Sequence, residues 1–294
     1  FNPVFSPDGA KMAYLSSKEG KVQVYLKDLA SNSTTRVTDV AMRPSGMSFS
    51  PDGKYLAFAM FTPTKAKPLF NLDFKPKGAK WAETPQYIDQ TNFQRDGMGM
   101  KRPGNMQIYV VPTIGGTPRQ ITSGEHDHAG TIAWSDNGQQ IIISANTSDE
   151  ADFDMLNSDL FSIDVKTSKV TRLTDMSGPE RSPHLSPNGN KIAFVGNEDN
   201  GKSNQLSHLY VMNSDGTGIE NLTSELDRSV GAIKWADNGK GVYFSYDDMG
   251  KKSVAYVSLS GKISTKTSDL GGTSLGRPYT SGDYDVTPKG SVVY

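Results

Sequence analysis

One four-residue turn recurs six times along this chain, and no other feature limits the available folds as sharply. Its copies are Ser6-Pro7-Asp8-Gly9, Ser50-Pro51-Asp52-Gly53, Ser135-Asp136-Asn137-Gly138, Ser186-Pro187-Asn188-Gly189, Ala236-Asp237-Asn238-Gly239 and Thr287-Pro288-Lys289-Gly290. Their first positions lie 44, 85, 51, 50 and 51 residues apart, a period near 50 with one long interval. The physical logic is that of a type I turn entering a hairpin. A Ser or Asp oxygen accepts backbone N–H groups, Pro fixes φ near −65°, and Gly takes the fourth position.

A short apolar run follows each of the first five turns, as in Met12-Ala13-Tyr14, Leu56-Ala57-Phe58, Ile141-Ile142-Ile143, Ile192-Ala193-Phe194 and Val242-Tyr243-Phe244. A second run carrying Tyr or Phe comes next, for example Val24-Tyr25-Leu26 and Leu209-Tyr210-Val211. A third ends in Thr: Arg36-Val37-Thr38, Gln120-Ile121-Thr122, Arg172-Leu173-Thr174 and Asn221-Leu222-Thr223. The fifth repeat has only a degraded version of it, near Lys266-Thr267. With the apolar piece before each turn, every unit holds four short strands. Four-stranded units at this period predict an all-β chain folded as a β-propeller, since one blade buries its faces only by stacking on its neighbours. A β-sandwich would not keep one turn at constant spacing. The count is five complete repeats and two inner strands of a sixth, Tyr284–Val286 and Ser291–Tyr294, within a single domain spanning 1–294. A blade cut to two strands leaves unpaired edges, which predicts self-association into a homo-oligomer.

Composition narrows the function. With 31 Lys plus Arg against 32 Asp plus Glu the formal net charge is −1, so there is no electrostatic case for nucleic acid. The longest apolar run, Leu56 to Phe61, is far short of the ~20 residues of a membrane-spanning helix, and no membrane partner is expected. The absence of Cys excludes disulfides, Cys-ligated zinc and thiol chemistry.

The long interval reflects an insert at 62–104. It carries eight Lys or Arg against four Asp or Glu, a net +4, together with Phe70, Phe74, Trp81, Tyr87 and Phe93. Long loops on rigid scaffolds are where binding residues gather, and cationic and aromatic side chains concentrated together favour that reading over a decorated hairpin.

Several motifs point to chemistry that their context denies. Gly196 to Ser203 fits G-x-x-x-x-G-K-S, but a strand rather than a helix follows, and Glu198 and Asp199 would repel phosphate, so it reads as a hairpin loop. Gly272-Thr273-Ser274-Leu275-Gly276 fits G-x-S-x-G, yet Pro278 closes the segment and no His follows Ser274. His126-Asp127-His128 has no third ligand nearby and reads as loop histidines before an inner strand. The acidic stretch Asp149 to Asp159 lacks the Gly of an EF-hand loop. No metal or other cofactor is expected.

The repeat, typified by Ser50 to Phe58, resembles the TolB-type propeller repeat. The longer segments Phe93 to Gly99, Gly115 to Thr122, Asn157 to Phe161 and Gly276-Arg277-Pro278-Tyr279 resemble the propeller of prolyl oligopeptidase family serine peptidases, acylaminoacyl-peptidase-like branch. That resemblance implies seven or eight blades, of which the earliest are missing here. It also implies a C-terminal α/β-hydrolase domain, absent from this sequence, which the propeller caps while admitting oligopeptide substrates. The bacterial periplasm or cell envelope is favoured over the cytoplasm. Dipeptidyl-peptidase members bind the substrate amino terminus through a Glu pair in a propeller insertion, whereas this insert has Glu83 alone. Arg95, held by Asp96, with Arg102 and Arg277, would suit substrate carbonyl or carboxylate oxygens. Two other readings stand beside the peptidase one: a TolB-like propeller that binds protein partners, and a propeller glycan enzyme, for which paired acids are not identified.

Overall fold

The computed structural model describes residues 1–65, 78, 80, 87–97, 99–271 and 282–294. Five four-stranded antiparallel sheets follow one another along the chain, and the described residues contain no helix. The first sheet is β1 (Val4–Phe5), β2 (Lys11–Ser16), β3 (Gln23–Asp28) and β4 (Thr34–Arg36). The second begins with β5 (Pro44–Phe49) and β6 (Tyr55–Pro63), is interrupted by a small hairpin of β7 (Gln94–Arg95) and β8 (Gly99–Met100), and resumes with β9 (Gly104–Pro112) and β10 (Arg119–Gln120). The third comprises β11 (Ala129–Trp134), β12 (Gln140–Ala145), β13 (Asp159–Asp164) and β14 (Val170–Arg172). The fourth holds β15 (Glu180–Leu185), β16 (Lys191–Gly196), β17 (His208–Asn213) and β18 (Glu220–Asn221). The fifth holds β19 (Val230–Trp235), β20 (Gly241–Asp248), β21 (Lys251–Ser258) and β22 (Ile263–Ser268). A final pair, β23 (Asp285–Val286) and β24 (Val292–Val293), occupies the expected sixth repeat.

The recurrent turn joins the first and second strands of every sheet. In its first copy Gly9 N donates to Ser6 O at 2.8 Å, Lys11 N donates to Ser6 Oγ at 2.9 Å, and Asp8 Oδ1 accepts from Ala10 N at 3.0 Å. Gly9 sits at φ +68°, the left-handed region that a residue with a Cβ enters at a cost, which explains why Gly closes all six copies.

The terminal Thr of the third apolar run completes a strand that is too short. In the first four sheets the residue before Thr donates its N–H to the third strand, as Val37 N does to Val24 O at 2.8 Å. The Thr hydroxyl then accepts the next N–H in place of a backbone carbonyl: Val24 to Thr38, Ile108 to Thr122, Leu160 to Thr174 and Leu209 to Thr223, at 2.8 to 2.9 Å. The fifth repeat, which reads as degraded in sequence, instead has the longest outer strand. The backbone of β22 pairs Val254 with Thr267 directly, so the hydroxyl device is not needed there.

First strands of successive sheets pack on one another, β5 on β11, β11 on β15 and β15 on β19, which places them at the centre. Indoles lock two of these joints. Trp134 Nε1 donates to Ser48 O at 3.3 Å, and Trp235 Nε1 donates to His184 O at 2.8 Å. Apolar side chains fill the spaces between sheets, with eleven buried residues between the first and second and twelve each between the second and third and the fourth and fifth. Cross-strand aromatic pairs, Tyr14 on Tyr25, Phe58 on Tyr109 and Phe194 on Tyr210, stack at 5.3 to 5.8 Å within sheets.

Candidate functional site

Loops from second to third strands emerge at the end of the sheets opposite the recurrent turn. At this end lie the insert in the second sheet, residues 146–158 in the third and residues 197–207 in the fourth. The insert stands on a long stem, because β6 and β9 pair without a break from Tyr55↔Pro112 to Pro63↔Gly104. Beyond it, Thr64 N donates to Pro103 O at 3.1 Å, and Lys101 N donates to Phe93 O at 2.8 Å at the base of the β7–β8 hairpin.

Arg95 and Asp96 occupy the tip of this hairpin and are exposed, with Gly97 at φ +70° making the turn. They form neither an ion pair nor a hydrogen bond with each other, so Asp96 does not hold the guanidinium as the sequence reading expects; at the tip of a short hairpin with three residues in its turn, both are exposed to solvent. Arg102 lies just beyond the end of the stem, its guanidinium 5.6 Å from the Phe61 ring centre. Arg277 lies outside the described residues, as do Ser274 and the rest of its G-x-S-x-G segment, Glu83, Phe70, Phe74 and Trp81.

The acidic stretch fastens the neighbouring loop to the insert. The Asp152 carboxylate accepts the Thr91 and Asn92 N–H groups, the latter at 3.2 Å, and Asp152 O accepts from Thr91 Oγ1 at 2.8 Å. The bonds from Thr91 hold this carboxyl below its usual range. Around the clamp, Tyr87, Ile88 and Phe93 of the insert and Phe153, Met155 and Leu156 of the third-sheet loop are all exposed. The phosphate-loop look-alike is a hairpin loop, with Gln205 Oε1 accepting from Asn200 N at 3.0 Å and Gln205 Nε2 donating to Lys202 O at 2.9 Å. It borders a polar cleft lined by Asn197, Glu198, His208, Tyr210 and Asn221.

His126-Asp127-His128 immediately precedes β11. Asp127 Oδ1 accepts from Met106 N at 2.7 Å and His128 N donates to Met106 O at 2.7 Å, so the triplet brackets one residue of β9. Among the described residues no group of three or more His, Cys, Asp or Glu could hold a metal ion. Nor does any Ser hydroxyl there hydrogen-bond a His side chain: His184 Nδ1 donates to the Ser182 carbonyl at 2.9 Å and His208 Nδ1 to the Thr223 carbonyl at 3.1 Å.

Sequence reasoning overlooked the head of the fourth sheet's first strand. Glu180 is fully buried there, and Arg181 beside it is exposed, with Nη2 donating to Ser207 Oγ at 2.8 Å. Burial, aided by the charge of Asp159 and opposed by bonds from Thr174 and Met176, pushes the Glu180 carboxyl up to about 7. A signal was present, since the equivalent positions hold Pro44, Ala129 and Val230.

Comparison with known proteins accords with this geometry. The chain is 24% identical over 277 residues to the uncharacterized peptidase YuxL of Bacillus subtilis, covering 89% of this chain and 41% of that protein. It therefore spans about two fifths of that relative's length. Among solved structures, an acylaminoacyl peptidase of Pyrococcus horikoshii superposes with a TM-score of 0.67 at 19% identity, over 90% of this chain and 38% of that one. A putative TolB from Agrobacterium tumefaciens superposes with a TM-score of 0.59 at 20% identity, over 90% and 79% respectively. Residues 1–162, more than half the sequence, match the TolB beta propeller domain family, and the chain belongs to that family of β-propellers.

Proposed function

We propose that this chain is the non-catalytic propeller of a serine peptidase, capping a C-terminal α/β-hydrolase domain and helping to select oligopeptide substrates. The observation that carries the reading is coverage: nearly the whole chain aligns with about two fifths of a peptidase sequence and of an acylaminoacyl peptidase structure. A propeller accounting for that fraction leaves room in such a protein for a catalytic domain of ordinary size. In this reading the insert face is the substrate side, and Arg95, Asp96, Arg102 and Arg277 are its candidate substrate contacts. Guanidinium groups there would take peptide carbonyl or carboxylate oxygens.

A second reading, a TolB-like propeller that binds a protein partner, is favoured by the family match and by the 79% coverage of the Agrobacterium structure. The reading frame downstream of the Tyr294 codon separates the two. A G-x-S-x-G between a strand and a helix, followed by an acid and a His, supports the peptidase, and a stop codon supports the binding module. Peptidyl and acyl-peptide chromogenic assays on the full-length product then test the activity itself.

A further inference from the structure

Glu180 closes a hydrogen-bond knot that the first two sheets close without an ionisable group. In the first sheet Thr38 Oγ1 donates to Gln23 Oε1 at 2.8 Å, and Val40 N, two residues further on, donates to the same oxygen at 3.0 Å. In the second, Thr122 Oγ1 donates to Gln107 Oε1 at 2.7 Å. In the third sheet the residue at the Gln position is Asp159, whose carboxylate turns to Arg172 at 2.8 Å. The acceptor now comes from the next sheet. Thr174 Oγ1 bonds Glu180 Oε2, and Met176 N, again two residues on, donates to Glu180 Oε1 at 3.1 Å. A carboxyl thus replaces a carboxamide, and the knot spans the joint between the third and fourth sheets instead of lying within one sheet.

The charges around this joint do not balance. Near Glu180 are Asp159 on β13, Arg172 on β14 and Tyr210 on β17, with Asp175, just beyond β14, beside Arg172 and Glu198 beside Tyr210. Arg181, on Glu180's own strand, is directed to Ser207. The Arg172 guanidinium makes its ion pairs with Asp159 and Asp175, so Glu180 is left without a cation of its own. A buried carboxyl that has no counter-charge and lies near another carboxylate is more stable neutral than ionised.

The same joint has the smallest apolar cluster of those between four-stranded sheets, with Ser144 Oγ and Ser158 Oγ donating to Glu180 O across it. Its apolar cluster holds six buried residues, half the number found at its neighbours, and Leu185 stands where Trp134 and Trp235 lock the flanking joints. We propose that Glu180 holds the third and fourth sheets together as a neutral carboxylic acid, making this joint a proton-dependent latch that loosens when Glu180 ionises.

The direction of the effect follows from linkage. The closed joint binds the Glu180 proton up to about pH 7, whereas the opened joint releases it near the ordinary value of 4.5. Closure is therefore fully favoured below pH 4.5, weakens about tenfold per pH unit between these limits, and levels off above them. Whole-protein melting does not isolate this effect. Burial holds His128 and His184 below their usual range, and they gain stability as pH rises over part of the same window.

Amide hydrogen exchange isolates it, using Val40, held by Gln23, as an internal reference for Met176, held by Glu180. After correction for intrinsic rates, the protection of Met176 relative to Val40 should fall about tenfold per unit from pH 5 to 7 and be flat above pH 7.5. In Glu180→Gln the ratio should be independent of pH. A constant ratio in the wild-type chain overturns the proposal, as does a slope that persists in Glu180→Gln. The wild-type measurement decides the matter even if the variant does not fold.

Discussion

Replacing Thr122 by Val removes one hydroxyl and almost no volume, and so tests how the short outer strands are completed. Thr122 Oγ1 accepts from Ile108 N at 2.8 Å and donates to Gln107 Oε1 at 2.7 Å, and both Thr122 and Gln107 are buried. Valine orphans a backbone N–H and a side-chain carbonyl where water does not reach. Each of the two unsatisfied buried groups costs roughly 1 to 3 kcal/mol, and the added apolar group returns about 0.8 kcal/mol, giving a net loss of about 1 to 5 kcal/mol. Thr122→Ser keeps both bonds and should cost only about 1 kcal/mol. Urea unfolding followed by tryptophan fluorescence is a direct assay, because Trp134 lies in the apolar cluster shared by the second and third sheets. A Thr122→Val midpoint within about 0.5 kcal/mol of wild type, or no lower than that of Thr122→Ser, would refute the view that the hydroxyl stands in for a strand.

On the proposed peptidase reading, Arg95→Ala in the full-length protein should lower kcat/KM for short peptides by on the order of tenfold with little change in Tm, while Lys65→Ala, at the start of the insert, leaves both intact. Equal kcat/KM values for the two variants would make the hairpin tip decoration. The polypeptide of residues 1–294 should hydrolyse neither acyl-peptide nor peptidyl substrates and should not react with a fluorophosphonate probe; stoichiometric labelling at Ser274 would contradict this. Because β24 pairs on one side only among the described residues and Val293 and Tyr294 are exposed, the same polypeptide should self-associate at high concentration, and a monodisperse monomer in analytical ultracentrifugation would count against it.

The repeated turn made the first hairpin of every sheet legible, because a Ser or Asp oxygen, a fixed φ and a terminal Gly are local requirements written into adjacent residues. The outer strands were harder to read. Thr38, Thr122, Thr174 and Thr223 are conspicuous in sequence, but their role depends on an N–H fourteen residues away, and only pairing reveals it. The fifth repeat misled for the converse reason: without that Thr it reads as defective, although Ile263–Ser268 pairs through backbone alone. Around the candidate site, composition identified the insert, but not that Asp152 clamps it to the third sheet, since that bond joins segments about sixty residues apart. Glu180 was legible only by aligning repeats position by position, because an acid among apolar equivalents is unremarkable until the equivalents are known.

The stem of β6 and β9 has an evolutionary consequence. Its strands stay paired up to Pro63↔Gly104, so the ends of the forty intervening residues are already side by side before any of them is ordered. Lengthening or shortening such a segment changes closure entropy by only about 0.6 kcal/mol per doubling of length. Selection can therefore rewrite or exchange this segment while the sheet beneath it keeps its register and its share of the core.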